Sequence, residues 1–294
     1  MTYIFNVLVM NKNCILLVLS LIIFLCVSSA EAESNLHIYL CIGQSNMEGY
    51  GDIEPIDTCN VSERFKTMAA VDFPSINRTK YNWYTALPPV VREDTHLSVV
   101  DWFGRTMVSN LPDSIDVGVI CVAVGSSKIE YLDRDFDENI LNGLSDWIKK
   151  ILSKYDNKPY DVIIDCAKKA MAQGEIKGIL LHQGEANYTD AQWPQKVKKL
   201  YTDMLNDLGL SAENVPLLMG EAVTIANFGK YGLVNGMMAD IPDLIPTAHI
   251  VSSKGLKHKG DNAHFSSESY RILGCRYAKT MLDILGYKNL KFRI

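Results

Sequence analysis

The sequence predicts an α/β domain built on a mostly parallel sheet of five strands, with helices on both faces. Two observations predict it. Five short runs rich in Ile, Leu and Val recur along the chain, each ending in a small or polar loop, and continuous apolar runs of that length suit strands buried on both faces. Longer segments between them carry apolar residues three and four positions apart, the spacing of a packed helix face, and a repeated strand–helix–strand order implies parallel pairing. The 294 residues are 48% apolar and 21% charged, an ordinary globular composition with material for one core. A net charge of −5, with no long run of one sign, argues against nucleic acid as a partner.

The first 32 residues stand apart. Lys12 precedes an apolar stretch from Ile15 to Val27, which runs into Ala30-Glu31-Ala32. A basic start, a short apolar core and an Ala-x-Ala ending make a secretory signal peptide, cut after Ala32. The mature chain, 33–294, is then a single domain, secreted or periplasmic, with no membrane span left after cleavage. Cys41, Cys59, Cys121, Cys166 and Cys275 remain, an odd set without the spacing of a disulfide framework.

Within that domain the first strand runs from Ile38 and stops at Gly43, and Ser45 follows two residues later. A serine beyond the carboxyl end of a buried strand sits where open α/β sheets place their ligands, although such a serine is more often the cap of the next helix. Residues 49–96 hold Pro55, Pro74, Pro88 and Pro89 and read as a long irregular insertion. Its Trp83 and Tyr84 are candidates for stacking on a sugar, or for pinning the insertion to the body. A helix follows over 97–110. The second strand, Val117 to Val124, ends at Gly125-Ser126-Ser127. Helices over 139–154 and 160–173 lead to the third strand, Lys177 to Leu181, which ends at His182-Gln183-Gly184-Glu185. A helix over 191–208 precedes the fourth strand, Val215 to Met219, ending at Gly220-Glu221. The fifth, Ala248 to Val251, is followed by Asp261-Asn262-Ala263-His264 and a final helix over 266–286.

These strand ends hold what acyl transfer needs. Ser45 is a nucleophile, and backbone N–H groups at Ser45 and Gly125, with the Gln183 amide, are donors for an oxyanion. His264 is the base, with a side chain that titrates near working pH, so activity is expected to rise as it loses its proton around pH 6–7. Asp261, three residues earlier, can fix its tautomer. Asp261, His264 and His258 also make a conceivable metal set, but no helix-borne zinc motif accompanies them. The Gly-x-Ser-x-Gly elbow is absent, which excludes a standard α/β-hydrolase.

Gly43-Gln44-Ser45-Asn46-Met47, Gly125, His182-Gln183-Gly184-Glu185 and Asp261-x-x-His264 together resemble the ordered blocks of the SGNH-type hydrolases. More closely, they resemble carbohydrate esterase family 6, acetyl xylan esterases and their sialate O-acetylesterase relatives. Val71-Asp72-Phe73-Pro74, Asn82-Trp83-Tyr84 and Asp101-Trp102-Phe103-Gly104-Arg105 extend the resemblance across residues 36 to 286. It implies a three-layer α/β/α sandwich of flavodoxin-like type and hydrolysis of O-acetyl esters with no cofactor and no metal, in the first place on acetylated plant polysaccharide as an acetyl xylan esterase. A sialate O-acetylesterase is the alternative, and a non-catalytic carbohydrate-binding protein on the same fold a further one. It also implies Ser45 as nucleophile, His264 as base, Gly125 and Gln183 at the oxyanion, and either Asp261 or Glu185 as the acid behind the histidine. Three positions depart from the pattern: Ala186 where serine is common, Ser126 where a second glycine is usual, and Ala263 where a larger apolar residue stands.

Overall fold

The computed structural model describes residues 35–223, 231–288 and 290–291; the signal peptide expected over 1–32 lies outside them. Strand β1 (Leu36–Gly43) runs through the middle of the sheet, flanked in parallel by β4 (Asp116–Ala123) and β5 (Glu175–His182). Outside β4 lie β2 (Phe65–Met68), also parallel, and β3 (Trp83–Thr85), antiparallel at the edge. Beyond β5 lie β6 (Leu217–Gly220) and β7 (Ala248–Val251), both parallel. The order is β3-β2-β4-β1-β5-β6-β7. The mostly parallel α/β fold stands, with seven strands where five were expected. The two additions come from the insertion read as irregular. At four and three residues, at one edge of the sheet and including Lys66 and Thr67, they lack the continuous apolar run of a central strand.

The described helices are α1 (Ser45–Glu48), α2 (Pro55–Thr58), α3 (Val99–Asn110), α4 (Asp146–Ser153), α5 (Pro159–Ala170), α6 (Trp193–Leu208), α7 (Gly232–Ala239), α8 (Ile241–Leu244) and α9 (Ser267–Ile284). The stretch expected as one helix over 139–154 divides into a 3₁₀ turn at Glu138–Gly143 and α4. Side chains alternate along β1 because successive residues of a strand point to opposite faces. Ile38, Leu40 and Ile42 enter a core shared with α5 and α6; Tyr39 and Cys41 enter a second core shared with α3 and α9. Those two cores make the three layers. Cys41 and Cys121 are buried in the second, and the five described cysteines are all free thiols.

Helix α3 shows how the family-like segment Asp101–Arg105 serves the structure. Ser98 caps it, its hydroxyl accepting from Val100 N–H, while Asp101 accepts from Ser98 N–H at 2.9 Å. Gly104 has no alternative, since a Cβ there would lie 1.9 Å from the Phe65 ring. Trp102 Nε1 donates to Asp57 at 2.8 Å, and Arg271 of α9 donates to the same carboxylate through Nε and Nη2. Arg105 donates to the backbone carbonyl of Asp57. The buried Asp57 thus fastens the start of the insertion to α3 and α9.

Asp101 yields a stability prediction. Complete burial pushes its carboxyl up to about 7, against the backbone bond from Ser98 that favours the charged form. The folded state therefore holds this proton more tightly than the unfolded chain. The wild type should lose stability as pH rises from about 4 to 7, by on the order of 4 kcal/mol. Asp101→Asn keeps an acceptor for Ser98 and should not show this fall. Thermal melts should find the variant more stable than wild type at pH 8, with no such advantage at pH 4.5.

Candidate active site

The carboxyl ends of β1, β4 and β5 lie level, with Gly43 opposite Ala123 on one side and His182 on the other. The chain runs outward from β1 in both directions, so their loops meet at the switch point of the sheet. Gly43 permits the closeness: a Cβ there would come within 2.2 Å of the His182 carbonyl oxygen. From this level Ser45 rises as the first residue of α1, next to Gln44, whose side chain makes no capping bond. Ser45 is only 6% exposed and lines a cavity of about 280 Å³ with Gln44, Ser126, Glu185, Tyr188 and His264, among others.

His264 reaches the cavity from the long loop between β7 and α9. Its Nδ1 lies 2.7 Å from Asp261 Oδ2, and Asp261 Oδ1 accepts from the backbone N–H groups of Ala263 and His264. Partial burial alone would raise the Asp261 pKa. The two N–H donors and the imidazole outweigh it and hold the carboxyl at about 2. Asp261 is therefore ionised and accepts only, which places the imidazole proton on Nδ1 and leaves Nε2 free as an acceptor. His258, the third member of the conceivable metal set, accepts the N–H groups of Gly260 and Asn262 through Nδ1 and shapes this loop. Among the described residues, one acidic group is close-set enough for a metal: Asp133, Asp135 and Asp203. The Lys199 ammonium bonds all three at 2.7–2.8 Å.

Glu185 also lines the cavity, but its partner is different. Its Oε1 accepts from Asn46 Nδ2 at 2.7 Å, while His182 Nε2 stands 3.8 Å away. Burial lowers the His182 pKa, against the pull of Glu185, so this imidazole is neutral at working pH. The residue against the imidazole of His264 is Asp261.

Four expected site residues are not among those lining the cavity: Gly125, whose backbone N–H bonds the Glu48 carboxylate, Gln183, Trp83 and Tyr84. Gln183 is 1% exposed and its amide is consumed below the cavity. Trp193 Nε1, which can only donate, bonds Gln183 Oε1 at 2.6 Å, so the NH₂ faces Asn187 Oδ1 and Ser127 O at 2.8 and 3.2 Å. A third acceptor, Gln44 Oε1 of the cavity lining, stands 3.3 Å from the same nitrogen, so the NH₂ meets protein acceptors on every side. Trp83 and Tyr84 do not line the cavity. Trp83 packs over Gly118 near the amino end of β4, and the Tyr84 hydroxyl accepts from Thr79 N–H, with Arg78 against its ring. Both belong to β3, the edge strand, and secure the insertion.

Other groups take their place. Tyr188 and Tyr231 line the cavity edge-to-face, with ring centroids 6.3 Å apart. Tyr50 stacks on His264, with centroids 4.1 Å apart and planes 5° apart. Its position just past Gly49 gave no hint of that contact. The Gly125 backbone lies against the Glu48 carboxylate: an added Cβ would be 2.5 Å from Oε2 and 3.3 Å from the Tyr50 hydroxyl. Burial raises the Glu48 pKa, opposed by Arg92, with which it forms a buried ion pair. Arg92 also donates to the Ala123 carbonyl at 2.7 Å, holding the end of β4. The three departures from the family pattern, Ser126, Ala186 and Ala263, all line the cavity, where they set its shape and spare the reacting groups.

The fold is shared with known proteins. The fold is similar to that of a protein from Arabidopsis thaliana, at 20% identity over 85% of this chain and 98% of the other, with a TM-score of 0.62. It is similar to NanS at 14% identity, over 87% and 99% of the two chains, with a TM-score of 0.65. It is also similar to a carbohydrate acetylesterase from Xanthomonas citri, at 16% identity and a TM-score of 0.62, over 86% of this chain and 57% of that longer one. At these identities the likeness is one of fold. The family profile described as carbohydrate esterase, sialic acid-specific acetylesterase matches residues 35–283. That match takes in every strand end described above, and the chain belongs to this carbohydrate esterase family.

Proposed function

We propose that the protein is a serine O-acetylesterase that removes acetyl groups from acetylated sugars, in the first place from plant polysaccharide. The observation that carries this reading is the meeting of Ser45 and His264 in one cavity, with Asp261 fixed 2.7 Å from the imidazole. His264 Nε2 takes the Ser45 proton as the hydroxyl oxygen attacks the acetyl carbonyl. The oxyanion is met by the backbone N–H groups of Ser45 and Ser126, both on residues that line the cavity, donors of a kind typically worth about 3 kcal/mol each. The imidazolium returns the proton to the departing sugar oxygen, and water then releases acetate from the acyl-serine by the same exchange. The sequence of the first 32 residues supports action outside the cytoplasm.

The choice of a neutral sugar rests on charge. Among the described residues lining the cavity there is no lysine or arginine, while Glu185 is there. Four arginines that could meet a carboxylate are engaged elsewhere: Arg92 with Glu48, Arg134 with Asp203 and Asp207, and Arg64 and Arg105 with backbone carbonyls. O-acetyl sialic acid is the second reading, favoured by the description of the family. Lys259, whose ammonium lies 5.6 Å from the centre of the Tyr50 ring that stacks on His264, is the cation such a substrate would meet.

Acetate release from acetylated xylan and from O-acetyl sialic acid, measured side by side with chelator present, tests both. Faster release from xylan that chelator leaves unchanged is the expected result. Preference for the sialate, lost in Lys259→Ala, would replace the first reading with the second. Release from neither would remove both.

A further inference from the structure

Asn46 is fully buried beside Ser45, and its side chain makes four hydrogen bonds. Nδ2 donates to Glu185 Oε1 at 2.7 Å and to the Ala263 carbonyl at 3.0 Å. Oδ1 accepts from Phe265 N–H at 3.3 Å and from the Tyr270 hydroxyl at 2.8 Å. Ala263 and Phe265 flank His264. One amide therefore grips the peptide on either side of His264, from a backbone position adjacent to Ser45. Each bond uses a different donor or acceptor site of the amide, so no rotated or flipped asparagine satisfies the same four partners.

We propose that Asn46 is a positioning residue that sets the His264 loop against Ser45, and that Glu185 acts through Asn46 rather than as the acid of His264. This rests on the serine-esterase reading above. Glu185 takes one proton of the Asn46 NH₂, which orients the amide so that the other meets Ala263 and Oδ1 faces Phe265 and Tyr270. Asp261 travels with His264 on the same turn, three residues away, so the loop carries its own acid–base pair. What that loop lacks is a fixed distance to the nucleophile, and Asn46 supplies it. Misplacement by about 1 Å between a base and its nucleophile costs on the order of 100-fold in rate.

The two roles for Glu185 predict opposite outcomes when donor and acceptor trade places. Asn46→Asp has nearly the same volume, keeps the acceptor for Phe265 and Tyr270, and sets a carboxylate against Glu185. It should lower kcat about 100-fold with little change in KM. Glu185→Gln still offers an oxygen to Asn46 and should cost less than about tenfold. In the double variant Asn46→Asp/Glu185→Gln, the glutamine NH₂ can donate to the new carboxylate. This variant should be at least about tenfold faster than Asn46→Asp alone, a coupling that only interacting residues show. The effects multiplying in the double variant, or Glu185→Gln alone losing about 10⁴-fold as an acid behind a catalytic histidine does, would overturn the proposal. Thermal melts of all three report folding. Tyr270→Phe, which removes only one donor to Asn46, should lower kcat more than it raises KM, and an unchanged kcat would count against the proposal. Ser45→Ala and His264→Ala serve as controls on the underlying reading. If either keeps wild-type activity the esterase site is wrong, whereas inactivity in both with no Asn46–Glu185 coupling condemns the positioning role alone.

Discussion

Ser45→Ala is expected to lower kcat for acetate release by about 10⁵-fold or more, with the melting temperature almost unchanged. Catalysis should collapse because, in the proposed mechanism, the base and the substrate cavity both serve this one hydroxyl, and neither can replace it. Stability should not, because Ser45 holds α1 through its backbone: its carbonyl accepts from Gly49 N–H, and the side chain is not the helix cap. A chromogenic acetate ester gives the direct reading. Wild type should show a burst of one equivalent as the acyl-serine fills, and the variant none. Retained turnover in Ser45→Ala would transfer the nucleophile's role to Ser126, the other serine hydroxyl among the residues lining the cavity.

Asp261→Asn should lower kcat by about 10⁴-fold, for a reason visible in its bonding. The asparagine oxygen can still accept from Ala263 and His264 N–H, so the turn survives. Its NH₂ then faces Nδ1, which must become an acceptor, and the imidazole proton moves to Nε2, where the base is needed. The pH profile carries a companion prediction. The backbone donors and His264 outweigh burial and hold Asp261 at about 2, so it is charged throughout the working range. The acid limb of kcat/KM above pH 4 should therefore follow a single proton. A slope of two protons there would mean that a second group near Ser45 must also ionise.

The central sheet and its strand-end residues were legible because the information is local. Continuous apolar runs announced β1, β4 and β5, and the abrupt polar residues after each marked the ends that meet at the switch point. The edge strands β2 and β3 were not, since Lys66-Thr67 and Trp83-Tyr84 owe their conformation to pairing with β4 and with each other rather than to their own pattern. Gln183 illustrates a second limit. Its side chain looks available in sequence, but Trp193, ten residues on, can only donate and so fixes which way the amide faces. The stacking of Tyr50 on His264 and the four bonds of Asn46 join residues more than 130 positions apart, and no window of the sequence contains both partners. Asp261 and His264 are the opposite case: three residues apart, they could be paired before the fold was known.

The placement of the reacting groups also has a consequence in time. Ser45 follows the first strand of the sheet, whereas His264 comes between its last strand and α9. A ribosome delivers the serine early and the histidine more than two hundred residues later. Until then the nascent chain holds the proposed nucleophile without the proposed base, and the loop that Asn46 grips does not yet exist. In the proposed mechanism, hydrolytic capacity is therefore expected only once the His264 loop has been made and has folded against α1, and a chain interrupted before His264 should release no acetate.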